Sequence, residues 1–114
     1  MTYTREINEG LQVQGADEKV AYRLDTSNWS ADPDTPSTPS AVSVVIFTVT
    51  EVAGVLTYTD TSLTNLDGAA GVAVQYITTP AVEALTAGTL YRVEVKFTLE
   101  GNIFEAYAFI KGER

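Results

Sequence analysis

The stretch that decides the fold runs from Leu85 to Lys111 and reads LTAGTLYRVEVKFTLEGNIFEAYAFIK. From Tyr91 onward, apolar residues alternate with charged ones, and a period of two is typical of a strand with one buried face. Residues 100–102 then offer side chains that tolerate positive φ, as a short hairpin loop requires. Residues 103–110 are apolar again and predict the returning strand. The stretch therefore predicts a β-hairpin.

The rest of the chain predicts more short strands and no helix of three turns or more. Further strands are expected at 11–13, 19–24, 41–49, 54–61 and 72–78, with a turn near Ala53 and Gly54 before the fourth of them. Residues 1–10 predict an arm or short edge strand, and residues 25–40, with three prolines, predict a long proline-rich loop. About seven short strands with turn signals between them predict an all-β fold. We expect a β-sandwich of antiparallel strands in a single domain spanning 1–114.

Two of the predicted strands are apolar on both faces. In 41–49, Val45 and Phe47 alternate with a second apolar set, and in 103–110 Tyr107 and Phe109 do the same. A strand of this kind needs cover on both sides. Exposed apolar patches usually mark protein contacts, so these four residues are candidates for an assembly interface. The alternative is that the long loop and the N-terminal arm cover them.

Trp29 is the only tryptophan and lies at the start of the long loop. One interpretation is that its ring closes one end of the core. The other is that it is an exposed anchor at an interface, where tryptophan is enriched, and we include it among the interface candidates.

Composition excludes several classes of function. The chain has no cysteine and no histidine, so disulfides, thiolate metal sites and histidine-based catalysis are excluded. Its 15 acidic and 7 basic residues give a net charge of -8, which disfavours nucleic acids and anionic membranes as partners. Solubility explains this acidity more simply than a specific basic partner does.

The loop carboxylates are weak candidates for chemistry. Asp25, Asp32, Asp34, Asp60 and Asp67 lie in or next to predicted loops and could supply oxygen ligands to calcium. Their spacing is not that of a calcium loop, and such residues mostly cap turns. No pair is arranged across a cleft as glycoside hydrolysis would require. We therefore expect no enzyme activity, no metal and no cofactor.

The N-terminus lacks the basic and apolar regions of a secretory signal. We therefore expect synthesis in the cytoplasm, after which the protein stays there or leaves by assembly into something larger.

The segment 85–93, LTAGTLYRV, resembles the corner before the penultimate strand of immunoglobulin-like and fibronectin type III domains. The matching positions are Leu85, Gly88 and Tyr91. The resemblance implies that the Tyr91 hydroxyl ties the corner together. The alternative is an ordinary strand tyrosine after a glycine turn.

A second resemblance covers residues 14–111. It is carried by QGADE at 14–18, by the run from Leu24 to Trp29, and by the TAGTxY corner with its final hairpin. These features are similar to the small immunoglobulin-like virion proteins of tailed phages and prophages, of the fibre-to-tail adaptor type. The proline-rich loop and the short C-terminal tail depart from that pattern.

The virion resemblance implies a non-enzymatic structural module of a tail or adaptor, located in the virion. Its partners would be further copies of itself, as a homo-oligomer, or other virion proteins. The alternative is a bacterial immunoglobulin-like binding module that recognises a surface sugar or protein through loop 25–40. A symmetric oligomer would favour the first hypothesis, and a monomer with ligand contacts at its loops would favour the second.

Overall fold

The computed structural model describes residues 3–6 and 11–114, and nearly all of their regular structure is β. One turn of 3-10 helix spans Ser27–Trp29, and one α-helical turn, α1, spans Ser62–Asn65. Among the described residues, no helix has the length and apolar character that a membrane crossing needs. The strands are β1 (Tyr3–Glu6), β2 (Leu11–Gly15), β3 (Val20–Asp25), β4 (Ser40–Val52), β5 (Val55–Asp60), β6 (Leu66–Asp67), β7 (Gly71–Ala73), β8 (Tyr76–Thr78), β9 (Ala81–Val82), β10 (Leu90–Leu99) and β11 (Asn102–Glu113).

The predicted hairpin is confirmed and lies at the centre of a five-stranded sheet, here called sheet II. Strands β10 and β11 pair antiparallel from Leu90 opposite Lys111 to Leu99 opposite Asn102. The order in sheet II is β2-β11-β10-β4-β5, so β2 and β5 are its edges. Strand β2 runs parallel to β11, whereas the other pairs are antiparallel.

The second sheet, sheet I, is built around β3. Strands β8 and β9 both pair antiparallel with β3, while β7 pairs with β8 and β6 with β9. Strand β1 pairs with β3 in parallel. Because Arg23 is opposite both Thr78 and Glu6, β1 lies on the edge of β3 away from β8.

The core lies between the two sheets, as expected for an all-β sandwich. Alternation on β10 turns its odd-numbered residues inward, and those from Tyr91 to Leu99 are at most 2% exposed. Full burial of one such side chain contributes roughly 1.5–3 kcal/mol. The buried cluster consists of Val20, Tyr22, Leu24, Ile46, Ile77, Val82, Leu85, Tyr91, Val93, Val95, Phe97, Leu99 and Ile110.

One buried amide ties β2 to sheet I. Gln14 is completely buried, and its Nε2 donates to the carbonyl oxygens of Val82, at 2.8 Å, and Glu18, at 3.1 Å. The Tyr22 hydroxyl donates to Gln14 Oε1 at 2.8 Å. Both amide protons and the oxygen are therefore satisfied, as a buried polar group requires.

Two hairpin turns use left-handed residues. Glu100 and Gly101 have φ values of 50° and 81°, and Ala53 and Gly54 have φ values of 52° and 81°. Two consecutive residues with positive φ are the mark of the type I′ turn that matches strand twist. The predicted turns at 100–102 and near 53–54 are thus confirmed, with a non-glycine residue strained at the first position of each.

We expect Ala53→Asn to raise the free energy of unfolding by about 0.5–1 kcal/mol, because asparagine tolerates the left-handed conformation better than alanine does. A urea unfolding curve measures this. The control is Ala69→Asn, since Ala69 is also exposed but has no positive φ. Equal effects at both sites would show that the turn conformation is not the cause.

Several predicted boundaries were wrong. The predicted strand 72–78 is instead a hairpin of β7 and β8, because Gln75 takes a left-handed φ of 62° between them. Strand β11 continues past residue 110 to Glu113, where β2 supplies a parallel partner. Strand β4 likewise extends to Val52, opposite Val55.

The expected topology also needs correction. The described residues form eleven strands rather than about seven, three of them ten or more residues long, and two pairings are parallel. The predicted arm 1–10 contributes a strand at Tyr3–Glu6, and its other residues lie outside the described part of the chain.

Candidate docking face

The four strand residues predicted as an interface lie on one surface. This surface is the side of sheet II that points away from the core, here called the outer face. Arg92 is opposite Phe109 on one neighbouring strand and Phe47 on the other. In the next row, Glu94 is opposite Tyr107 and Val45. The sheet register therefore brings Val45, Phe47, Tyr107 and Phe109 together in two adjacent rows around the charged side chains of β10.

Arg92 is surrounded by aromatic rings. Its guanidinium carbon lies 3.9 Å from the ring centre of Tyr107, 5.2 Å from that of Tyr58 and 5.8 Å from that of Phe109. A cation over an aromatic face is attracted by the ring quadrupole, by about 0.5–1 kcal/mol at exposed sites. Tyr58 comes from the edge strand β5 and the other two rings from β11, so Arg92 on β10 links residues of two other strands. We call these four residues the Arg92 cluster.

The rings of the outer face also contact one another. Tyr107 and Phe109 meet edge to face with centroids 5.7 Å apart, and Phe47 and Tyr58 do so at 6.2 Å. Edge-to-face contact is the favourable geometry for aromatic pairs. Val45, Phe47 and Phe109 are half-buried by this packing, whereas Tyr107 remains 56% exposed. The outer face is thus a preformed aromatic surface around the charged side chains of Arg92 and Glu94.

The environment of Arg92 Nε is unusual. This atom is buried and has no hydrogen-bond partner among the described residues. Its nearest counter-charge is Glu94 Oε2 at 3.7 Å. The guanidinium charge is therefore balanced by the aromatic rings and by a carboxylate that lies beyond hydrogen-bond distance of Nε.

Charges in the four central rows of the outer face cancel, although the chain is strongly acidic. A row consists of residues that lie opposite one another on neighbouring strands. The four rows counted are those that contain Leu90, Arg92, Glu94 and Lys96 of β10. Within them Arg92, Lys96 and Lys111 face outward with Asp60, Glu94 and Glu105, which is three positive against three negative side chains. The chain as a whole carries -8. Electrostatic repulsion between copies is therefore reduced where these four rows form the contact.

A shallow depression of about 110 Å³ lies beside the Arg92 cluster. Small-molecule pockets usually have volumes of about 300–1,000 Å³. The depression is lined by Ser43, Val45, Phe47, Glu94, Val95, Lys96 and Glu105. Its size suits an inserted side chain of a protein partner better than a substrate.

Trp29 does not join the other four interface candidates. Its ring lies 5.6 Å from that of Phe97, edge to face, and 6.4 Å from that of Phe104. Phe97 belongs to the buried core, so the tryptophan covers the end of the space between the sheets. It nevertheless keeps 37% of its surface exposed.

The corner residues Leu85 and Tyr91 are buried, while Gly88 is exposed with a φ of 85°. The backbone N–H of Thr86 donates to the Tyr91 hydroxyl oxygen at 2.8 Å. The Gly88 N–H donates to the Gly112 carbonyl at 2.8 Å, which joins the corner to the last strand. The corner is thus held by both a side-chain and a backbone hydrogen bond.

Loop 25–40 is held by the hairpin turn of β10 and β11. The Glu100 carboxylate accepts hydrogen bonds from the Ala31 N–H at 2.9 Å and from the Ser37 hydroxyl at 3.0 Å. The Gln75 N–H donates to the Ser37 carbonyl at 3.3 Å. These bonds secure the middle of the loop and leave residues 31–35 exposed.

The loop carboxylates do not converge. Asp25, Asp32 and Asp60 each accept a hydrogen bond from a backbone N–H two residues further on, as turn-capping residues do. Asp67 pairs with Lys19 at 2.5 Å, and this hydrogen bond raises the pKa of the lysine. In the described residues no group of three acidic side chains is placed to hold a metal ion.

Sequence reasoning missed Arg92 and Tyr58 as members of the outer face. Arg92 reads as an ordinary solvent-facing residue of an alternating strand. Tyr58 reads as one of several residues in a threonine-rich strand. Only the cross-strand register, which places β5 beside β4 and β4 beside β10, brings the two side chains together.

Comparison with known proteins found no matching family model, no matching curated protein and no matching solved structure.

Proposed function

We propose that the chain is an immunoglobulin-like β-sandwich that works as a non-enzymatic structural or docking module. Two features support the immunoglobulin-like assignment. Strand β2 pairs in parallel with the last strand β11, while β3, which follows it in sequence, lies in the other sheet. The Tyr91 hydroxyl accepts the Thr86 N–H, which is the hydrogen bond of the tyrosine corner.

The proposed place of action is the particle of a tailed phage or prophage, as a tail or adaptor component. The sequence resemblance over residues 14–111 supports this proposal. In it the protein acts in the virion after synthesis in the host cytoplasm, with no enzymatic activity, cofactor, nucleic acid or membrane partner. The absence of histidine and cysteine and the net charge of -8 support those exclusions.

The observation that carries the docking proposal is the outer face of sheet II. Tyrosine, phenylalanine and arginine are enriched at protein interfaces, and tyrosine and arginine are frequent among the residues that dominate binding energy. The outer face groups Phe47, Phe109, Tyr58 and Tyr107 around Arg92, already packed against one another. Rigid aromatic anchors lose little conformational freedom when a partner binds.

The proposed occupant of the outer face is a second copy of the chain. Two copies with a charge of -8 each repel one another over most of their surfaces. At the outer face this repulsion is reduced, because its four central rows carry equal numbers of positive and negative side chains. In a symmetric contact Arg92 of one copy can approach Glu94 or Glu105 of the other. A homo-oligomer is therefore the assembly that we expect.

The runner-up is a binding module that recognises a sugar or protein through loop 25–40. One observation favours it. The Glu100 carboxylate secures the loop while residues 31–35 stay exposed, so the loop has a defined shape. A monomer that gains a ligand-dependent rise in Tm would support this function.

We expect Phe109→Asp to leave the chain folded and to weaken self-association at least about tenfold, because it places a carboxylate in the centre of the apolar contact. The loss of unfolding free energy should be about 1 kcal/mol, since Phe109 is only half-buried and lies outside the core. Light scattering over a range of protein concentrations measures the mass against the 12.3 kDa of one chain.

The control for this variant is Ile103→Asp. Ile103 lies on the same strand and the same side of sheet II, is 67% exposed, and is remote from the Arg92 cluster. It should leave the mass of the assembly unchanged. A wild-type protein that stays monomeric at high concentration would contradict self-assembly. Unfolding of the Phe109→Asp variant would show that Phe109 belongs to the core.

A further inference from the structure

The edge strand β5 has the properties of an unprotected pairing edge. Among the described residues β5 pairs with β4 and with no other strand. Its six residues are all exposed, and it is longer than the other strands at sheet edges, β1, β2, β6 and β7. Natural edges are usually blunted by lysine, proline or a bulge. Strand β5, VLTYTD, contains neither residue, and its register with β4 is unbroken over six pairs.

The phase of the β4–β5 ladder shows which backbone groups of β5 are free to pair. The two-residue turn makes Val52 and Val55 a hydrogen-bonded pair, and such pairs alternate along the ladder. The bond from the Thr61 N–H to the Ile46 carbonyl, at 2.8 Å, agrees with this phase. The N–H and C=O groups of Leu56, Tyr58 and Asp60 therefore point away from β4.

We infer that β5 pairs antiparallel with β5 of a second copy, about a two-fold axis that passes between the two Thr57 residues. In this register Leu56 of each copy lies opposite Tyr58 of the other and forms a hydrogen-bonded pair with it. An aliphatic residue opposite an aromatic one is a favourable cross-strand pair. Thr57 faces its own counterpart, and threonine pairs can hydrogen-bond across strands.

The charge pattern of β5 selects this register. Asp60 is its only charged residue, and in this register it falls beyond the last hydrogen-bonded pair. If the axis passed between the two Tyr58 residues instead, Asp60 of one copy would lie opposite Leu56 of the other. If it passed between the two Leu56 residues, Tyr58 would lie opposite the turn residue Gly54 of the other copy. The contact is isologous, because the same strand of each copy forms both sides of it. Two-fold dimers with such interfaces are the commonest homo-oligomers.

The position of β5 also keeps the edge ready for pairing. The Tyr58 ring packs against Phe47 and Arg92 on the outer face, and this packing fixes β5 in its place at the edge of sheet II. Pairing of two β5 strands would join both copies of sheet II into one ten-stranded sheet. The outer faces of the two copies would then form one continuous surface.

This inference rests on the proposed function only in that the chain works as an assembly of copies. Both contacts include Tyr58 but have different centres: the outer-face contact is centred on Phe109, whereas the edge contact is centred on Thr57. Each can therefore fail without the other.

Single-cysteine variants test the edge contact directly, because the chain has no cysteine of its own. Residues in a non-hydrogen-bonded antiparallel pair have Cα atoms about 4.5 Å apart, within the range that a disulfide can bridge. In a glutathione redox buffer, we expect Thr57→Cys to form a disulfide-linked dimer at least about tenfold faster than the control Thr50→Cys. Thr50 is also exposed and lies opposite Thr57 in the ladder, but on the inner strand β4.

A mixture of Val55→Cys and Thr59→Cys should cross-link between the two variants, since the register places these residues opposite one another. Equal rates for the Thr57→Cys and Thr50→Cys variants would overturn the inference. Preferred cross-linking of Thr57→Cys to Thr59→Cys would overturn the register. Both experiments repeated in the Phe109→Asp background should give unchanged cross-linking.

Light scattering separates the two contacts. Thr57→Lys places two like charges face to face on the axis and should weaken the edge dimer roughly tenfold, whereas Thr50→Lys should not. An oligomer that is sensitive to Phe109→Asp but not to Thr57→Lys would overturn the edge contact and leave the proposed function standing. The opposite pattern would overturn the outer-face contact and support the edge contact.

Discussion

Replacing Gly112 by alanine is expected to lower the free energy of unfolding by about 2–4 kcal/mol. A Cβ atom at this position would lie 2.4 Å from the Thr86 carbonyl oxygen and 3.3 Å from Leu85 Cβ. The obstacle is backbone, which cannot rotate away as a flexible side chain would. Gly112 also donates its N–H to Thr89 and accepts the N–H of Gly88, so any shift strains both bonds.

The measurement is a pair of urea unfolding curves, with Gly71→Ala as the control. A Cβ atom at Gly71 would meet only Thr78 Cβ at 3.6 Å, an ordinary van der Waals distance, and its φ is not positive. The control should therefore change stability by less than about 1 kcal/mol. A loss at Gly112 no larger than that of the control would mean that the corner and the last strand are not in the close contact described.

Replacing Gln14 by methionine is expected to lower the free energy of unfolding by about 2–3 kcal/mol. The change removes one hydrogen-bond acceptor and two donors from a completely buried network. The carbonyls of Val82 and Glu18 would lose this donor, and the Tyr22 hydroxyl would lose its acceptor at 2.8 Å. Since these bonds join β2 to sheet I, the edge of sheet II next to β11 should loosen first. Hydrogen exchange of the β2 amides would report that loosening.

A double-mutant cycle with Tyr22→Phe isolates the side-chain bond. In the wild-type protein, Tyr22→Phe should lower the free energy of unfolding by about 1 kcal/mol. In the Gln14→Met background the same change should lower it by less. Strict additivity of the two changes would contradict a direct bond between Gln14 and Tyr22.

The strongest local patterns predicted the fold class well. The alternation from Tyr91 to Phe97 and the turn residues at 100–102 predicted the hairpin that the structure confirms, because one buried face and one tight turn suffice to specify it. The same logic found a turn at 53–54. It failed at 72–78, where uniform β propensity concealed the left-handed Gln75 that splits the segment.

The outer face was predictable in part. A strand that is apolar on both sides needs a second layer or a partner, and that reasoning singled out Val45, Phe47, Tyr107 and Phe109. Register then placed them in adjacent rows. The same reasoning could not place Trp29, because a loop residue has no periodicity and its ring goes wherever the core leaves space.

The sequence by itself determined the all-β class, the central hairpin, the turns and the exclusion of histidine and cysteine chemistry, since each depends on residue type or on neighbours within a few positions. The tertiary structure alone decided the parallel pairing of β2 with β11, the burial of Gln14, the close contact at Gly112 and the cluster around Arg92. These features join residues that are far apart in the chain, where local pattern carries no information about distance. They depend on which strands become neighbours, and that is settled only when the two sheets pack around a common core.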